Sequence, residues 1–228
     1  MISTRLKLCV TVFLFSSFTL GLNAQPFKDD INAFKRQDSI QAPPANAILF
    51  VGSSSFTKWT DIQDYFPRKV IINRGFGGST LADVIRYADD IIFPYDPKQI
   101  VLYCGENDFA SSKDMEVDTV VNRFKTLFNI IRAKMPKVNI VYISMKPSPS
   151  RRNLFAKELV ANGEIRDFLE FQPHTYYVEV FYPMMIHGNE PNGALFTSDS
   201  LHMNAEGYRL WKNLLDPYLI ISKKPSKK

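Results

Sequence analysis

The sequence predicts an α/β protein with a five-stranded parallel sheet, and two patterns support this prediction. Five short, continuous apolar runs have the length and composition of strands that are covered on both faces. The segments between them carry apolar residues at three-and-four spacing, which is typical of amphipathic helices. Since strand–helix alternation is characteristic of parallel sheets with right-handed crossovers, we expect one such sheet.

The predicted elements follow one another from residue 47 to residue 215. The predicted strands cover residues 47–51, 69–72, 99–103, 138–144 and 175–180. The predicted helices cover residues 81–92, 117–134, 153–171 and 204–215, with Asn204 as the N-cap of the last. A short helix or arm precedes the first strand. A length of 228 residues suits one domain with a sizeable core.

The first 24 residues have the layout of a secretory signal peptide. Arg5 and Lys7 precede an apolar run over residues 9–22, and small residues end it at Ala24. The run is too short for a membrane span. We therefore expect cleavage near Ala24, a secreted or periplasmic protein, and no stable membrane anchor afterwards. The predicted organisation is a signal peptide over 1–24, an N-terminal arm over 25–45, one folded domain over 46–218 and a basic tail over 219–228.

The positive charge of the chain comes from its two ends. The formal charge is +5, and it falls to +3 without the predicted signal peptide and to −1 without the four lysines of the tail. A basic patch that would bind nucleic acid is therefore not expected. Cys104 is the single cysteine after cleavage, and its apolar surroundings favour a core position over a reactive one.

Four polar motifs follow the predicted strands. They are Gly52-Ser53-Ser54, Gly77-Gly78, Gly105-Glu106-Asn107-Asp108 and, before the last helix, Asp199-Ser200-Leu201-His202. Because sites in open parallel sheets lie outside the carboxyl ends of the strands, we expect these motifs to share one edge.

The residue types in these motifs predict a serine esterase. A serine after a strand can be a nucleophile if a base is near, although a Ser-rich turn or an N-cap is the alternative. Asp199 can fix the tautomer of His202, and His187 is the rival base. The Asn107 carboxamide can donate to a developing oxyanion, or it can belong to an ordinary polar turn.

The glycine-rich stretch after the second strand does not predict a nicotinamide site. Thr80 stands where the dinucleotide fingerprint has its last glycine, and Asn73 replaces the acid that ends the second strand in such proteins. A backbone N–H at Gly78, donated to an oxyanion, is the better interpretation. We see no ligand cluster for a metal, and we expect no cofactor.

At these residues the chain resembles the SGNH, or GDSL-type, esterase and lipase family, from about residue 47 to residue 215. The resemblance implies a three-layer, flavodoxin-like α/β/α sandwich. It maps the family's nucleophile to Ser54 and its aspartate and histidine to Asp199 and His202. It also maps the oxyanion-hole donors to Ser54, Gly78 and Asn107.

The stretch over residues 72–79 is most similar to members related to platelet-activating-factor acetylhydrolase and to bacterial acetylesterases. Ser53 replaces the family's aspartate, which leaves open which of Ser53, Ser54 and Ser55 attacks, and we prefer Ser54.

The expected function is a secreted esterase that acts through an acyl-enzyme on short-chain esters, such as acetyl esters of saccharides. A lysophospholipase or lipase is one alternative, for which the loop over residues 181–186 would line an acyl pocket instead of packing in the core. A non-catalytic carbohydrate-binding module is another. A flavodoxin-like cofactor binder is disfavoured, because an Asn–Asp–His set has no role there. The oligomeric state stays open.

Overall fold

The computed structural model describes residues 26–187 and 189–221. The predicted signal peptide and most of the predicted basic tail lie outside these residues. The strands of the main sheet are β1 Ile48–Gly52, β2 Ile71–Gly75, β3 Gln99–Tyr103, β4 Asn139–Ile143 and β5 Thr175–Val178. Every neighbouring pair is parallel and the order is β2-β1-β3-β4-β5. This is the flavodoxin-like strand order, so the predicted five-stranded α/β fold is confirmed.

Helices connect these strands along the chain. They are α1 Lys28–Ile40, α2 Ser54–Thr57, α3 Ile62–Tyr65, α4 Leu81–Arg86, α5 Ala88–Ile91, α6 Glu106–Ser111, α7 Val117–Lys134, α8 Phe155–Glu170 and α9 Ala205–Leu215. A 3₁₀ segment, Pro149–Leu154, precedes α8. A small antiparallel hairpin, β6 Met185–Ile186 and β7 Glu190–Pro191, precedes α9. None of the helices in the described part of the chain is long and apolar enough to cross a membrane.

The sheet is buried on both faces because its side chains alternate between two apolar clusters. Leu49, Ile100 and Ile140 point to the face covered by α1 and α4 to α8. Their neighbours Phe50 and Val101 point to the face covered by α2, α3 and α9. Because side chains alternate with a period of two and the central strands are apolar on both faces, helices cover the sheet on both sides and three layers form.

Helix α7 begins and ends where its apolar stripe predicts. The six residues of that stripe are all buried: Val120, Val121, Phe124, Leu127, Phe128 and Ile131. Asn204 caps α9 as predicted, since its side-chain oxygen accepts from the backbone N–H groups of Glu206 and Gly207. The strong apolar periodicity of α7 and the Asn204 cap of α9 are local sequence features, which is why the sequence predicts these two helices well.

Other predicted boundaries are wrong. Strand β2 begins at Ile71 and extends to Gly75, because its register follows β1 and pairs Gly75 with Gly52. The predicted helix over 81–92 is two helices, interrupted at Tyr87, whose backbone leaves the helical region. The predicted helix over 153–171 begins as an α-helix only at Phe155, after the 3₁₀ segment.

The segment that we predicted as a short helix or arm contains the helix α1, which also belongs to the core. Ile31 is 2% exposed and lies in the apolar cluster with the sheet. Asp38 pairs with Arg74 of β2 and accepts a hydrogen bond of 2.6 Å from Tyr95. These contacts fasten α1 to the sheet, and the burial of Ile31 contributes apolar stabilisation.

Candidate active site

Ser54 begins α2 directly after a turn that only glycine permits. At Gly52, which ends β1, an added Cβ would lie 2.0 Å from the carbonyl oxygen of Tyr103. The backbone at Gly52 therefore lies too close to Tyr103 of β3 for any side chain, and α2 begins two residues later, at Ser54. Ser53 and Ser55 are only 5% and 1% exposed, whereas Ser54 is half-buried. Of the three serines, Ser54 is the one that a substrate can reach.

The glycine-rich turn after β2 runs beside Ser54. The backbone N–H of Phe76 donates to the carbonyl of Gly52 over 2.9 Å, which joins the two strand ends. A Cβ at Gly77 would lie 3.9 Å from Cβ of Ser54. Gly78 has a φ of 85°, a left-handed conformation that favours glycine. The peptide groups of this turn are thus next to the candidate nucleophile.

Asn107 lies on α6, after β3, and both ends of its amide are bonded. Nδ2 donates to the carbonyl of Ser79 over 3.0 Å, and Oδ1 accepts from Nη2 of Arg151 over 2.9 Å. A carboxamide nitrogen carries two hydrogens, and the second has no partner among the described residues. The side chain therefore keeps one donor for a ligand.

His202 and Asp199 form a direct pair. Nδ1 of His202 lies 2.6 Å from Oδ2 of Asp199. The other oxygen, Oδ1, accepts from Thr197 Oγ1 over 2.7 Å and from the backbone N–H groups of Leu201 and His202, each over 2.9 Å. The bond from His202 and these further donors hold the pKa of Asp199 well below its usual range. The carboxylate is therefore ionised and assigns the Nδ1–H tautomer to the imidazole.

The remaining imidazole nitrogen, Nε2 of His202, is buried and has no hydrogen-bond partner within the described residues. Ser54 Oγ consequently does not bond to it in this structure. In many unliganded enzymes such bonds form only with substrate bound.

Contacts between loops join the four motifs. The Tyr208 hydroxyl of α9 donates to the carbonyl of Ser55 over 2.9 Å, which sets α9 against the turn of Ser54. The backbone N–H of Ser150 donates to the carbonyl of Ser200 over 3.0 Å, inside the Asp199–His202 loop. Through Arg151, the same segment also reaches Asn107. The structure thus brings the predicted residues to one edge of the sheet.

A buried charge cluster, which we did not predict, lies beneath Asn107. Glu106 accepts from Lys146 over 2.8 Å, from Tyr103 over 2.6 Å and from Ser148 over 2.7 Å, and Arg151 Nη1 lies 3.1 Å away. Burial raises the pKa of Glu106, but the charges of Lys146 and Arg151 outweigh it and lower the pKa to about 2. The polar stretch that follows β4 could have indicated this cluster, because it ends at the same sheet edge.

Glu158 of α8 lies near this cluster but is not bonded to it. Its side chain is fully buried, and neither carboxyl oxygen has a hydrogen-bond partner in the described chain. Burial, followed by the nearby negative charge of Glu106, raises the pKa of Glu158 well above its usual range. Glu158 therefore keeps its proton to a higher pH than an ordinary glutamate does.

A cavity of about 400 Å³ opens beside Arg151. It is lined by three cations, one amide and three apolar side chains: Lys113, Arg151, Lys157, Asn153, Phe109, Ala110 and Leu154. Because Arg151 also bonds to Asn107, this cavity adjoins the candidate oxyanion site.

The other residues that the sequence singled out are not part of this arrangement. His187 is exposed, and in the residues described only His202 among the histidines pairs with a carboxylate. In the loop over residues 181–186, Phe181 and Met184 are buried, so these two side chains pack in the core and do not line an acyl pocket. Cys104 is buried, and burial raises its pKa well above the usual value, so its thiol is unreactive. Within residues 26–187 and 189–221, no group of His, Cys, Asp and Glu could hold a metal ion.

A parallel α/β sheet that carries a serine, an asparagine amide and an aspartate–histidine pair at one edge defines a class of ester hydrolases. Comparison with known families agrees. The model of the GDSL-like lipase/acylhydrolase family matches residues 38–210. The chain belongs to this family of hydrolases that act on esters.

Solved structures share the fold at low sequence identity. A GDSL-like lipase from Bacteroides thetaiotaomicron is 21% identical with a TM-score of 0.70, covering 82% of this chain and 96% of that one. A lipase/acylhydrolase from Enterococcus faecalis is 15% identical with a TM-score of 0.60, covering 79% and 100%. An acetyl xylan esterase is 14% identical with a TM-score of 0.61, covering 76% and 100%. A search of curated proteins gives no match.

Proposed function

We propose that this protein is a secreted serine esterase that removes short acyl groups, acetyl above all, from saccharides. The observation that carries the proposed chemistry is the Asp199–His202 pair, at the sheet edge where Ser54 begins α2. Nε2 of His202 is buried and has no hydrogen-bond partner among the described residues. Two of the similar structures are an acetyl xylan esterase and an acetyl esterase, which supports acetyl esters as substrates. The signal peptide that the sequence predicts supports secretion.

In the proposed first step, Ser54 Oγ attacks the ester carbonyl carbon and Nε2 of His202 accepts the hydroxyl proton. A tetrahedral intermediate forms with a negative oxygen. As this intermediate collapses, the bond to the alcohol oxygen breaks, and His202 returns the proton to that oxygen. The products are the free alcohol and an acyl ester on Ser54.

In the second step, water attacks the acyl-enzyme while His202 again accepts a proton. The bond to Ser54 breaks, the serine recovers its proton, and the carboxylic acid leaves. Asp199 holds the imidazole with Nδ1 protonated throughout, so that Nε2 presents its lone pair, and it stabilises the imidazolium.

The proposed oxyanion donors come from three neighbouring segments. They are the backbone N–H groups of Ser54 and Gly78 and the second N–H of the Asn107 amide. These donors are fixed before the reaction, two of them by the backbone and the third by its bonds to Ser79 and Arg151. Such preorganised donors stabilise the transition state more than the substrate.

The cavity beside Arg151 offers hydrogen-bond donors to the polar alcohol component of an ester. Four of its seven lining side chains are cationic or amide groups that can donate to hydroxyl oxygens, while most of the lining surface is apolar. A lipase-type activity is the second candidate, because the loop over residues 181–186 exposes the apolar side chains of Tyr182 and Ile186. Family membership favours an active hydrolase over a non-catalytic binding module.

A chain-length series tests the substrate proposal. We expect kcat/KM for p-nitrophenyl esters to be highest for acetyl and to fall through butyryl to octanoyl, and acetylated xylan oligosaccharides to release acetate. Ser54→Ala should abolish both activities. A preference for octanoyl esters would replace the proposal with the lipase-type candidate.

A further inference from the structure

We propose that Arg151 is a positioning residue that fixes the Asn107 amide in the orientation needed to donate to the oxyanion. This inference rests on the proposed oxyanion role of Asn107. Arg151 belongs to the 3₁₀ segment Pro149–Leu154, which the sequence motifs did not include. Its role follows from three sets of contacts.

The first set concerns the two ends of the amide. The oxygen and nitrogen of a carboxamide have nearly the same shape but opposite hydrogen-bonding chemistry. In the observed orientation Oδ1 accepts from Arg151 and Nδ2 donates to the Ser79 carbonyl. A flipped amide would set its NH₂ against the guanidinium and its oxygen against the Ser79 carbonyl, losing both bonds. It would also direct lone pairs at the developing negative charge, which repels them.

The second set holds Arg151 itself in place. Nη1 lies 3.1 Å from Oε1 of Glu106 while Nη2 donates to Asn107. Glu106 is fixed in turn by Lys146, Tyr103 and Ser148. The planar guanidinium can serve a carboxylate and an amide oxygen together because its donors point in fixed, diverging directions. With its side chain only 20% exposed, Arg151 is a rigid support for the amide.

The third set connects the support to the other half of the site. Ser150, next in the chain to Arg151, donates its backbone N–H to the carbonyl of Ser200 over 3.0 Å. Ser200 lies between Asp199 and His202. One short segment therefore orients the candidate oxyanion donor with a side chain and supports the Asp–His loop with its backbone.

The first test is steady-state kinetics of Arg151→Ala with p-nitrophenyl acetate. We expect kcat to fall by about 10–10² with little change in KM, somewhat less than the loss for a whole oxyanion donor. Arg152→Ala is the matched control, because Arg152 is the adjacent arginine, is exposed and pairs with Glu190. The control should retain wild-type kcat. A rise in KM without a fall in kcat would overturn the proposal, since it would mean direct substrate binding by Arg151.

A double-mutant cycle decides whether Arg151 acts through Asn107. If it does, Arg151→Ala will lower kcat in the wild-type background but change it less than twofold in an Asn107→Ala background. An equal loss in both backgrounds would overturn the inference and leave the role of Asn107 intact. An Asn107→Ala variant with undiminished kcat would overturn both the oxyanion role of Asn107 and the inference about Arg151. The failure of the inference alone can therefore be told from the failure of the proposed oxyanion role.

Arg151→Lys keeps the test decisive if the alanine variant does not fold. A lysine retains the positive charge near Glu106 but has a single ammonium, which cannot bond to Glu106 and Asn107 in the same fork geometry. We expect a melting temperature close to wild type and a kcat at least fivefold lower. Wild-type kcat in Arg151→Lys would overturn the proposal.

Discussion

At the residue scale, the two oxygens of Asp199 have separate tasks. Oδ1 accepts three bonds from its own loop and so shapes the turn, while Oδ2 bonds to Nδ1 of His202. The turn that positions the imidazole and the carboxylate that orients it are therefore one unit. This explains why the two residues stand three apart in the sequence.

Asp199→Asn should lower kcat by roughly 10²–10⁴, because an amide nitrogen at Oδ2 would favour the tautomer with hydrogen on Nε2, which cannot accept the serine proton. The measurement is kcat for p-nitrophenyl acetate, with the melting temperature as a check on folding. His187→Ala serves as the control and should retain full activity. Loss of activity in His187→Ala with an active Asp199→Asn would show that the pairing is not catalytic.

A fluorophosphonate should label Ser54, since Ser53 and Ser55 are buried on either side of it. Peptide mass spectrometry after labelling identifies the residue. Ser54→Ala should remove the label, and Ser53→Ala should keep it. A label on Ser53 or Ser55 would contradict the assignment of the nucleophile.

At the element scale, α8 buries a carboxyl group at the expense of stability. The unfolded chain releases the Glu158 proton as the pH rises through the usual glutamate range, whereas the folded chain keeps it to a higher pH. Folded stability therefore decreases with pH above the usual pKa, by about 1.4 kcal/mol per pH unit until the folded group also ionises. Helix α8 therefore depends for its stability on other contacts, such as those of the buried Ile165 and Leu169.

Glu158→Gln should consequently raise the free energy of unfolding at pH 7, while at pH 4 it should change little, because both states of the wild-type protein are then mostly protonated. Urea denaturation at the two pH values measures this. Glu164→Gln is the matched control, since Glu164 is exposed on the same helix, and it should have no effect at either pH. A destabilised Glu158→Gln at pH 7 would mean that Glu158 is ionised and paired.

At the scale of the whole molecule, α1 completes the layer that covers one face of the sheet. Its Ile31 enters the core, and Asp38, Arg74 and Tyr95 form a polar contact at its end. Phe27, just before α1, packs edge-on against Phe76 at 5.2 Å and reaches Gly78 of the candidate oxyanion turn. The segment after the predicted cleavage point thus belongs both to the core and to the surroundings of the site.

Ile31→Ala should destabilise the protein by about 2–5 kcal/mol, the usual range for removing a buried isoleucine side chain. Ile40→Ala on the same helix should stay within about 0.5 kcal/mol, since Ile40 is 87% exposed. Equilibrium urea unfolding of both variants measures the difference. Equal effects of the two substitutions would show that α1 is not part of the cooperative core.

The sequence predicted the strongly periodic parts of the fold with good accuracy. Strand β3 and helix α7 have the predicted bounds. Every residue of β3 is buried, and α7 carries a single apolar stripe, so each pattern has a clear beginning and end in the sequence. The bounds of β2 and the break at Tyr87 were missed. Their positions depend on pairing with β1 and on packing, which local patterns do not encode.

The sequence by itself determined the α/β class, the motifs at the strand ends and the Asp199–His202 pair. Residue type and strand position suffice for these, because parallel strands deliver their carboxyl ends to one edge. Only the tertiary structure decided that Ser54 is accessible between two buried serines, that α1 is core, and that Arg151 bonds to Asn107. Accessibility and contacts between residues 44 positions apart arise from packing, and no local sequence pattern specifies them.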